Sequence, residues 1–163
     1  MTTPTGKIDK ADLTMPQRWV GLYTVVLMLL LLAFFIYHQW SKTGFLTTKF
    51  GGMEMLALYG PIILSLGAPI QRFIQGKRNP ARPLEAVSDI SLAVGSIWLR
   101  NNFPFDFAHL ADPFPDTMWF AFTWITDDIG RFILLLQIVI GFISGFAILV
   151  TYIREKPATP MVN

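Results

Sequence analysis

The feature that most constrains this chain is that charged side chains are absent from blocks about as long as a lipid bilayer is thick. The clearest block, residues 19–37, reads WVGLYTVVLMLLLLAFFIY and contains no charged residue. A helix of this length covers about 29 Å, close to the roughly 30 Å hydrocarbon core of a bilayer. The apolar run is longer than that of a cleavable signal peptide, and residues 38–42 provide no small-residue cleavage site. We therefore expect a transmembrane helix that anchors the protein.

Composition and charge narrow the class of protein. Hydrophobic residues make up 53% of the chain and charged residues 15%, whereas a soluble domain is about one quarter charged. The net charge of +2 is too small to predict binding to nucleic acid. The chain contains no cysteine, which excludes disulfides, thiolate metal sites and cysteine nucleophiles. These values favour an integral membrane protein without cysteine chemistry.

Three further segments are candidates for crossing the membrane. Residues 55–74 and 129–153 are long and mostly apolar, although Pro61 and Pro69 interrupt the first of them and favour kinks. Residues 84–99 are ambiguous, because apolar side chains recur on one helical face while carboxylates and serines occupy much of the rest. This segment is predicted either to cross inside a bundle or to lie at the membrane surface.

The distribution of lysine and arginine favours four crossings with the amino terminus in the cytoplasm, because basic residues accumulate on the cytoplasmic side. Under this topology the inner side holds most of the basic residues: Lys7, Lys10, Arg18, Lys77, Arg78, Arg82, Arg154 and Lys156. The outer side holds Lys42 and Lys49. The alternative, three crossings with an interfacial helix, moves Arg154 and Lys156 to the outer side.

We therefore predict an all-α integral membrane protein, folded as a small four-helix bundle in the cell membrane (the plasma or inner membrane). Its single transmembrane domain covers residues 19–153, with spans at 19–37, 55–74, 84–99 and 129–153. A polar cytoplasmic tail precedes the domain and a short one follows it, at residues 1–18 and 154–163. The outer loop, residues 100–128, is rich in proline and aromatic residues.

A face of small residues on the last predicted helix is typical of close helix packing. Gly141 and Gly145 are four residues apart, and Ser144 adds a small side chain beside them. Gln137, one turn earlier, is placed to form a hydrogen bond across the same contact. Small residues at this spacing allow helix backbones to approach closely in a membrane. The pattern predicts packing within the chain's own bundle or, alternatively, a docking face for a partner subunit.

Glu85 and Asp89 are the carboxylates within the third predicted span. An ionisable group inside the membrane costs about 2.5–3.5 kcal/mol on insertion scales, so it is expected to face a partner or a water-filled path. A proton or cation pathway is one hypothesis. The alternative is that both carboxylates lie near the inner headgroups and pair with Arg78 or Arg82.

The outer loop and its flanks concentrate aromatic residues, among them Phe103, Phe105, Phe107, Trp119 and Trp124. Aromatic rings are common near lipid headgroups, so an aromatic belt, with residues 118–125 lying flat on the membrane, is one interpretation. The other is an apolar surface that binds a partner protein. Prolines fix several backbone angles in this loop, which favours a stiff surface.

His38 and His109 are the only histidines, and both fall on the predicted outer side. They are weak candidates for a metal, haem or pigment ligand, because two unpatterned histidines more often serve as interfacial or loop residues. The chain contains no haem-attachment motif and no spacing typical of a metal site. The sequence therefore indicates no cofactor.

Three functions are compatible with the sequence. The first hypothesis is a non-catalytic accessory or assembly subunit of a larger membrane complex, with the lipid bilayer and other membrane subunits as partners. The second is a small transporter or channel that uses Asp89 and the proline-containing second helix. The third is a membrane redox or pigment-binding subunit that uses His38.

Overall fold

The computed structural model describes residues 13–155, and within them every regular element is helical. Four long helices follow one another: α1 (Met15–Ser41), α2 (Gly52–Gln75), α3 (Arg82–Asn102) and α4 (Asp127–Glu155). Short 3₁₀ helices occupy the connections, at Asn79–Ala81, Phe107–His109 and Asp116–Ala121. The one extended pairing in this part of the chain is an isolated bridge between Leu46 and Phe105. The prediction of an all-α fold is confirmed.

Three helices of the described region are long and apolar enough to cross a membrane: α1, α2 and α4. Each contains one of the predicted spans and extends beyond it by up to four residues. The remaining helix, α3, is 21 residues long but less apolar. α1 begins and α4 ends within the predicted tails, and the outermost residues of those tails, 1–12 and 156–163, lie outside the described range.

The long helices alternate in direction, and α3 lies between α2 and α4. The closest helix pairs are α3 with α4, α2 with α3 and α1 with α2. We call one end of the bundle the basic end; its helix ends and connection carry Arg18, Arg72, Lys77, Arg78 and Arg82. The opposite end, the loop end, contains the connections 42–51 and 103–126. α1 and α4 therefore lie on opposite flanks of the α2–α3 pair.

Contacts near both ends of α3 fasten it to α2. At the basic end, Arg72 forms an ion pair with Glu85. At the loop end, the Trp98 indole N–H donates to Glu54 Oε1 at 2.9 Å, and Glu54 Oε2 accepts from the backbone N–H of Gly51 at 3.0 Å. Glu54 thus caps the start of α2 and also holds the end of α3 beside it.

The middle of α2 lies close to α3 at a backbone carbonyl that has no hydrogen-bond donor within its own helix, because of a proline one turn later. α2 continues as a helix through Pro61 and Pro69, where the sequence predicts kinks. Because proline has no N–H, the carbonyl of Ala57, four residues before Pro61, lacks its helical donor. Gly95 of α3 lies against it: a Cβ atom on Gly95 would be 2.4 Å from Ala57 O. The absence of a side chain at Gly95 therefore permits this approach.

The largest buried cluster lies at the loop end, where two connections pack onto the helices. Four buried side chains of the connections contact four of α2, α3 and α4: Phe45, Phe103, Phe105 and Leu110 with Leu58, Ile62, Leu99 and Leu134. Backbone hydrogen bonds join the two connections, from Thr47 N to Pro104 O at 2.9 Å and from Asp106 N to Phe45 O at 2.8 Å. The outer loop is therefore a packed part of the fold.

Candidate functional site

The small-residue face of α4 packs against α3 of the same chain. A Cβ atom on Gly141 would lie 2.7 Å from Asp89 O and 3.0 Å from Ala93 Cβ. A Cβ atom on Gly145 would lie 2.7 Å from Ile90 Cγ1. Both glycines are buried. The structure thus places this face in the intramolecular α3–α4 contact, where the two helix backbones approach each other closely.

Two polar contacts accompany these glycines. Ser96 donates to Gln137 Oε1 at 3.0 Å, and the Ser144 hydroxyl donates to the carboxylate of Asp89. Both hydrogen bonds are partly buried and join α3 to α4. Hydrogen bonds of this kind help membrane helices to associate. All four residues of the predicted face, including Gln137 and Ser144, therefore contact α3.

The carboxylate of Glu85 has a different partner from those that the sequence suggests. It forms an ion pair with Arg72 in the last turn of α2, and not with Arg78 or Arg82. Arg82 instead reaches α4, where it pairs with Glu155 at 2.6 Å. α3 lies between α2 and α4, so the side chain of Glu85 reaches Arg72 of α2 while that of Arg82 reaches Glu155 of α4.

A polar cavity of about 480 Å³ lies beside the two carboxylates of α3. Residues of α1, α2 and α3 and of the adjoining connections line it, and the polar ones are Gln17, Thr24, Ser65, Arg72, Arg78, Glu85, Ser88 and Asp89. The structure therefore brings Glu85 and Asp89 to the same cavity, together with two arginines. Such a cavity can hold water or a polar group at the basic end of the bundle.

A second, mainly apolar cavity of about 290 Å³ is lined by all four long helices. Side chains of the loop-end connections, including Phe45 and Phe105, form part of its wall. Met28, Ser65 and Ser88 line both cavities, so the two spaces adjoin within the bundle. Together they form a space whose lining is more polar at the basic end than toward the loop end.

The structure divides the aromatic residues of the outer loop into two groups. Phe103 and Phe105 are buried in the cluster at the loop end, and the partly buried Phe107 packs against it. Trp119 and Trp124 are 42% and 63% exposed. Burial removes Phe103 and Phe105 from contact with a partner, whereas Trp119 and Trp124 remain exposed at the surface.

The exposed tryptophans belong to a short stretch that we call the aromatic segment, residues 116–125. Phe120, one of the aromatic residues that crowd this loop in the sequence, is its most exposed large hydrophobic residue at 77%. The indole N–H groups of Trp119 and Trp124 donate to backbone carbonyls of the same connection, at 3.1 and 2.8 Å. The protein therefore satisfies both indole donors, and the segment presents apolar ring surface.

The two histidines occupy different environments. His38 is 1% exposed, and its ring lies between two phenylalanine rings whose centroids are 4.5 and 4.7 Å from its own. Its Nδ1 atom is 2.6 Å from Thr43 Oγ1. His109 lies in the outer loop, where its Nδ1 atom is 3.0 Å from Asp112 Oδ2. Among residues 13–155, no group of three or more histidine, aspartate or glutamate side chains is placed to hold a metal ion.

The start of α4 contains contacts that helical spacing does not reveal. Asp127 and Arg131 are spaced as an i, i+4 pair, but Asp127 Oδ1 accepts from the backbone N–H of Phe107 at 3.0 Å. The guanidinium of Arg131 lies over the ring of Phe103, 3.8 Å from its centroid. Both contacts depend on the outer loop folding back onto α4. They hold the first part of the loop, at Phe103 and Phe107, against the start of α4.

Comparisons with known proteins do not assign the chain to a family. No family model, no curated protein and no solved structure matches it.

Proposed function

We propose that this chain is a non-catalytic accessory subunit of a larger membrane complex, and that it docks to its partner through the aromatic segment. The observation that carries the proposal is the combination of exposed rings and satisfied donors in that segment. Phe120 has no polar group, and the indole N–H groups of Trp119 and Trp124 are already bonded within the chain. A tryptophan that served only as a headgroup anchor would keep its N–H directed to the lipid.

The aromatic segment is also held in one conformation by its neighbours. The rings of Phe114 and Phe122 stack with their centroids 4.5 Å apart. Backbone hydrogen bonds run from Met118 N to Pro115 O at 2.8 Å and from Phe122 N to Trp119 O at 2.9 Å. A preformed surface loses less conformational entropy on binding than a mobile one, and aromatic side chains are frequent binding hot spots. These features favour a docking role.

The proposal moves the expected partner contact away from α4. The sequence pattern allows Gly141 and Gly145 to be a docking face, but α3 already covers both glycines. Substitution of either glycine is therefore expected to disturb the bundle itself, before any effect on assembly. The exposed aromatic segment is an apolar surface that the subunit can still offer at the loop end, beside the exposed Trp40 and Met53.

We also propose that all four long helices cross the membrane, with the loop end outside. α3 is 21 residues long, which corresponds to about 31 Å and matches the hydrocarbon core. It runs antiparallel between α2 and α4 and contacts both. A helix that packs along two membrane-spanning helices lies at the same depth in the membrane as they do. Its serines and carboxylates face helices and cavities, which explains its lower hydropathy.

Site-specific photo-crosslinking in the native membrane tests the docking surface. A photoreactive phenylalanine analogue is placed at position 120 and, in a separate control variant, at position 143. Ile143 is a suitable control because it is 67% exposed on α4, away from the loop end. We expect a discrete protein adduct from position 120 and none from position 143. Lipid adducts alone at position 120, or the same protein adduct from both positions, would contradict the proposal.

A second candidate function is transport of a proton or cation through the polar cavity. The specific observation is that Asp89 lines this cavity together with Glu85 and Ser88. Replacing Asp89 with asparagine is then expected to abolish flux in proteoliposomes while the protein still folds. Glu155→Gln is the matched control, because Glu155 lies at the end of α4, outside the cavity. Absence of flux in the wild-type protein removes this candidate.

A further inference from the structure

We propose that the two adjoining cavities bind one anionic phospholipid, with its phosphate at the basic end and an acyl chain in the apolar cavity. The lipid would bind inside the four-helix bundle of this chain. The proposal does not depend on the aromatic segment or on a partner protein.

The basic end carries more positive charge than its acidic side chains balance. Of its six basic residues, which include Arg154 at the end of α4, Arg72 pairs with Glu85 and Arg82 pairs with Glu155. The other four form no ion pair within residues 13–155: Arg18, Lys77, Arg78 and Arg154. Basic side chains near a membrane surface attract anionic lipid headgroups. This excess charge favours an anionic headgroup over a zwitterionic one.

Two arginines at this end also have unused hydrogen-bond donors. The Nε atoms of Arg18 and Arg72 are buried and have no partner in the part of the chain that the structure describes. A buried donor without an acceptor is costly, and phosphate oxygens are acceptors that match the guanidinium fork. Arg72 lines the polar cavity, as does Arg78, which has no ion-pair partner among residues 13–155. A phosphate group in this cavity would supply acceptors to the arginines around it.

The apolar cavity supplies the complementary space for a hydrocarbon chain. Its wall includes Leu31, Leu58, Leu92 and Leu134, with one residue from each long helix. Along α3, the distance from Glu85 at the polar cavity to Leu99 at the apolar cavity is about 21 Å. Ser88, which lines both cavities, is only about one turn from Glu85. An acyl chain as long as one leaflet is deep, about 15 Å or half of the hydrocarbon core, would therefore extend well into the apolar cavity if it followed α3.

The two cavities are connected, so an acyl chain can pass from the polar cavity into the apolar one. Met28, Ser65 and Ser88 line both spaces. α1 packs chiefly on α2, while α4 packs on α3, and the apolar cavity is lined by both α1 and α4. A lipid from the surrounding bilayer has the amphipathic shape that this arrangement requires.

Lipid binding by the purified full-length protein tests the proposal. The protein is delipidated in a mild detergent, and native mass spectrometry compares dioleoyl phosphatidylglycerol with dioleoyl phosphatidylcholine. We expect one tightly retained phosphatidylglycerol molecule and weaker retention of phosphatidylcholine. Arg78→Gln should weaken phosphatidylglycerol binding about fivefold, the equivalent of about 1 kcal/mol for one basic residue near a headgroup. Lys49→Gln at the loop end is the matched control and should not change binding.

A second pair of variants tests the acyl-chain path. Met28→Trp places a large ring at the junction of the cavities, and Leu27→Trp places the same ring on the exposed side of α1. The first should abolish retention of phosphatidylglycerol, and the second should not. The proposal is wrong if both lipids bind equally or if Met28→Trp binds as well as Leu27→Trp. It is also wrong if glycerol phosphate, which has no acyl chain, competes as effectively as phosphatidylglycerol. Should Met28→Trp fail to fold, the comparison of the two lipids on the wild-type protein decides.

Discussion

The carbonyl oxygen of Ala57 lies against Gly95 of the neighbouring helix, so close that a Cβ atom on Gly95 would be 2.4 Å from it. Pro61 has removed the N–H that this carbonyl would accept in an uninterrupted helix. The contact therefore joins a proline in α2 to a glycine in α3. Replacing Gly95 with alanine should destabilise the protein by about 1–3 kcal/mol, because the added methyl group overpacks the contact. Reversible unfolding in mixed micelles measures the change.

Gly60→Ala is the matched control for this prediction. Gly60 lies within α2, and the nearest atom to an added Cβ is Leu56 Cδ1 at 3.7 Å, an ordinary contact. Alanine is a better helix former than glycine by about 0.5–1 kcal/mol, so this variant should be neutral or more stable. Equal destabilisation by both variants would show that the α2–α3 contact is not close.

The hydrogen bond between Ser96 and Gln137 should contribute a measurable coupling energy to the α3–α4 contact. The two side chains are 3.0 Å apart. Interhelical hydrogen bonds in membrane proteins average about 0.6 kcal/mol in double-mutant cycles. A cycle of Ser96→Ala and Gln137→Leu should give a coupling of this size. The same cycle with Ser91→Ala should give a coupling near zero, because in the described region Ser91 has no side-chain hydrogen bond to Gln137.

Gly44 should be essential for the packing of the loop end. Its φ angle is +102°, a conformation that residues with a side chain rarely adopt, and a Cβ atom would lie 2.8 Å from His109 Cδ2. Gly44→Ala should cost about 1–3 kcal/mol and loosen the contact between the two connections. Limited proteolysis should then cleave these connections faster than in the wild-type protein. Gly52→Ala, where an added Cβ meets no atom within 4 Å, should leave the cleavage rate unchanged.

Four crossings place residues 101 and 159 on opposite sides of the membrane. Because the chain has no cysteine, single cysteines at Asn101 and Thr159 report their sides cleanly. In intact cells, an impermeant maleimide should label position 101 and should reach position 159 only after the membrane is opened. Labelling of position 159 but not of position 101 in intact cells, as three crossings would give, or equal labelling of both positions, would contradict four crossings.

The sequence predicts the parts of this fold that depend on local composition. The uncharged runs in α1 and α4 identify both helices, since their outward faces remain apolar. α3 is ambiguous because Ser88, Gly95 and Ser96 are buried through close approach to α2 and α4. Hydropathy does not distinguish such a buried helix with small and polar residues from an interfacial one. Which helices lie beside α3 depends on the tertiary fold, so hydropathy alone cannot predict it.

For the candidate sites too, the sequence predicts the local patterns but not the partners, which depend on the tertiary fold. The small-residue face on α4 is evident from its spacing, whereas its partner helix is not. The pairing of Glu85 with Arg72 requires α2 to lie beside α3, and 13 residues separate the two side chains in sequence. Composition identifies the outer loop as rich in aromatic residues, but only the fold shows that Phe105 is buried and Phe120 is exposed. Which rings are exposed depends on how the two connections pack together.

Co-purification from the native membrane tests the proposed accessory function most directly. The wild-type chain is isolated in a mild detergent and compared with a Phe120→Ser, Trp124→Ser double variant and with an Ile143→Ser control. We predict that the wild-type and control chains retain the same stoichiometric membrane subunits and that the double variant loses them while still folded. A wild-type chain that emerges alone or as a homo-oligomer would contradict the account, as would a double variant that keeps every subunit.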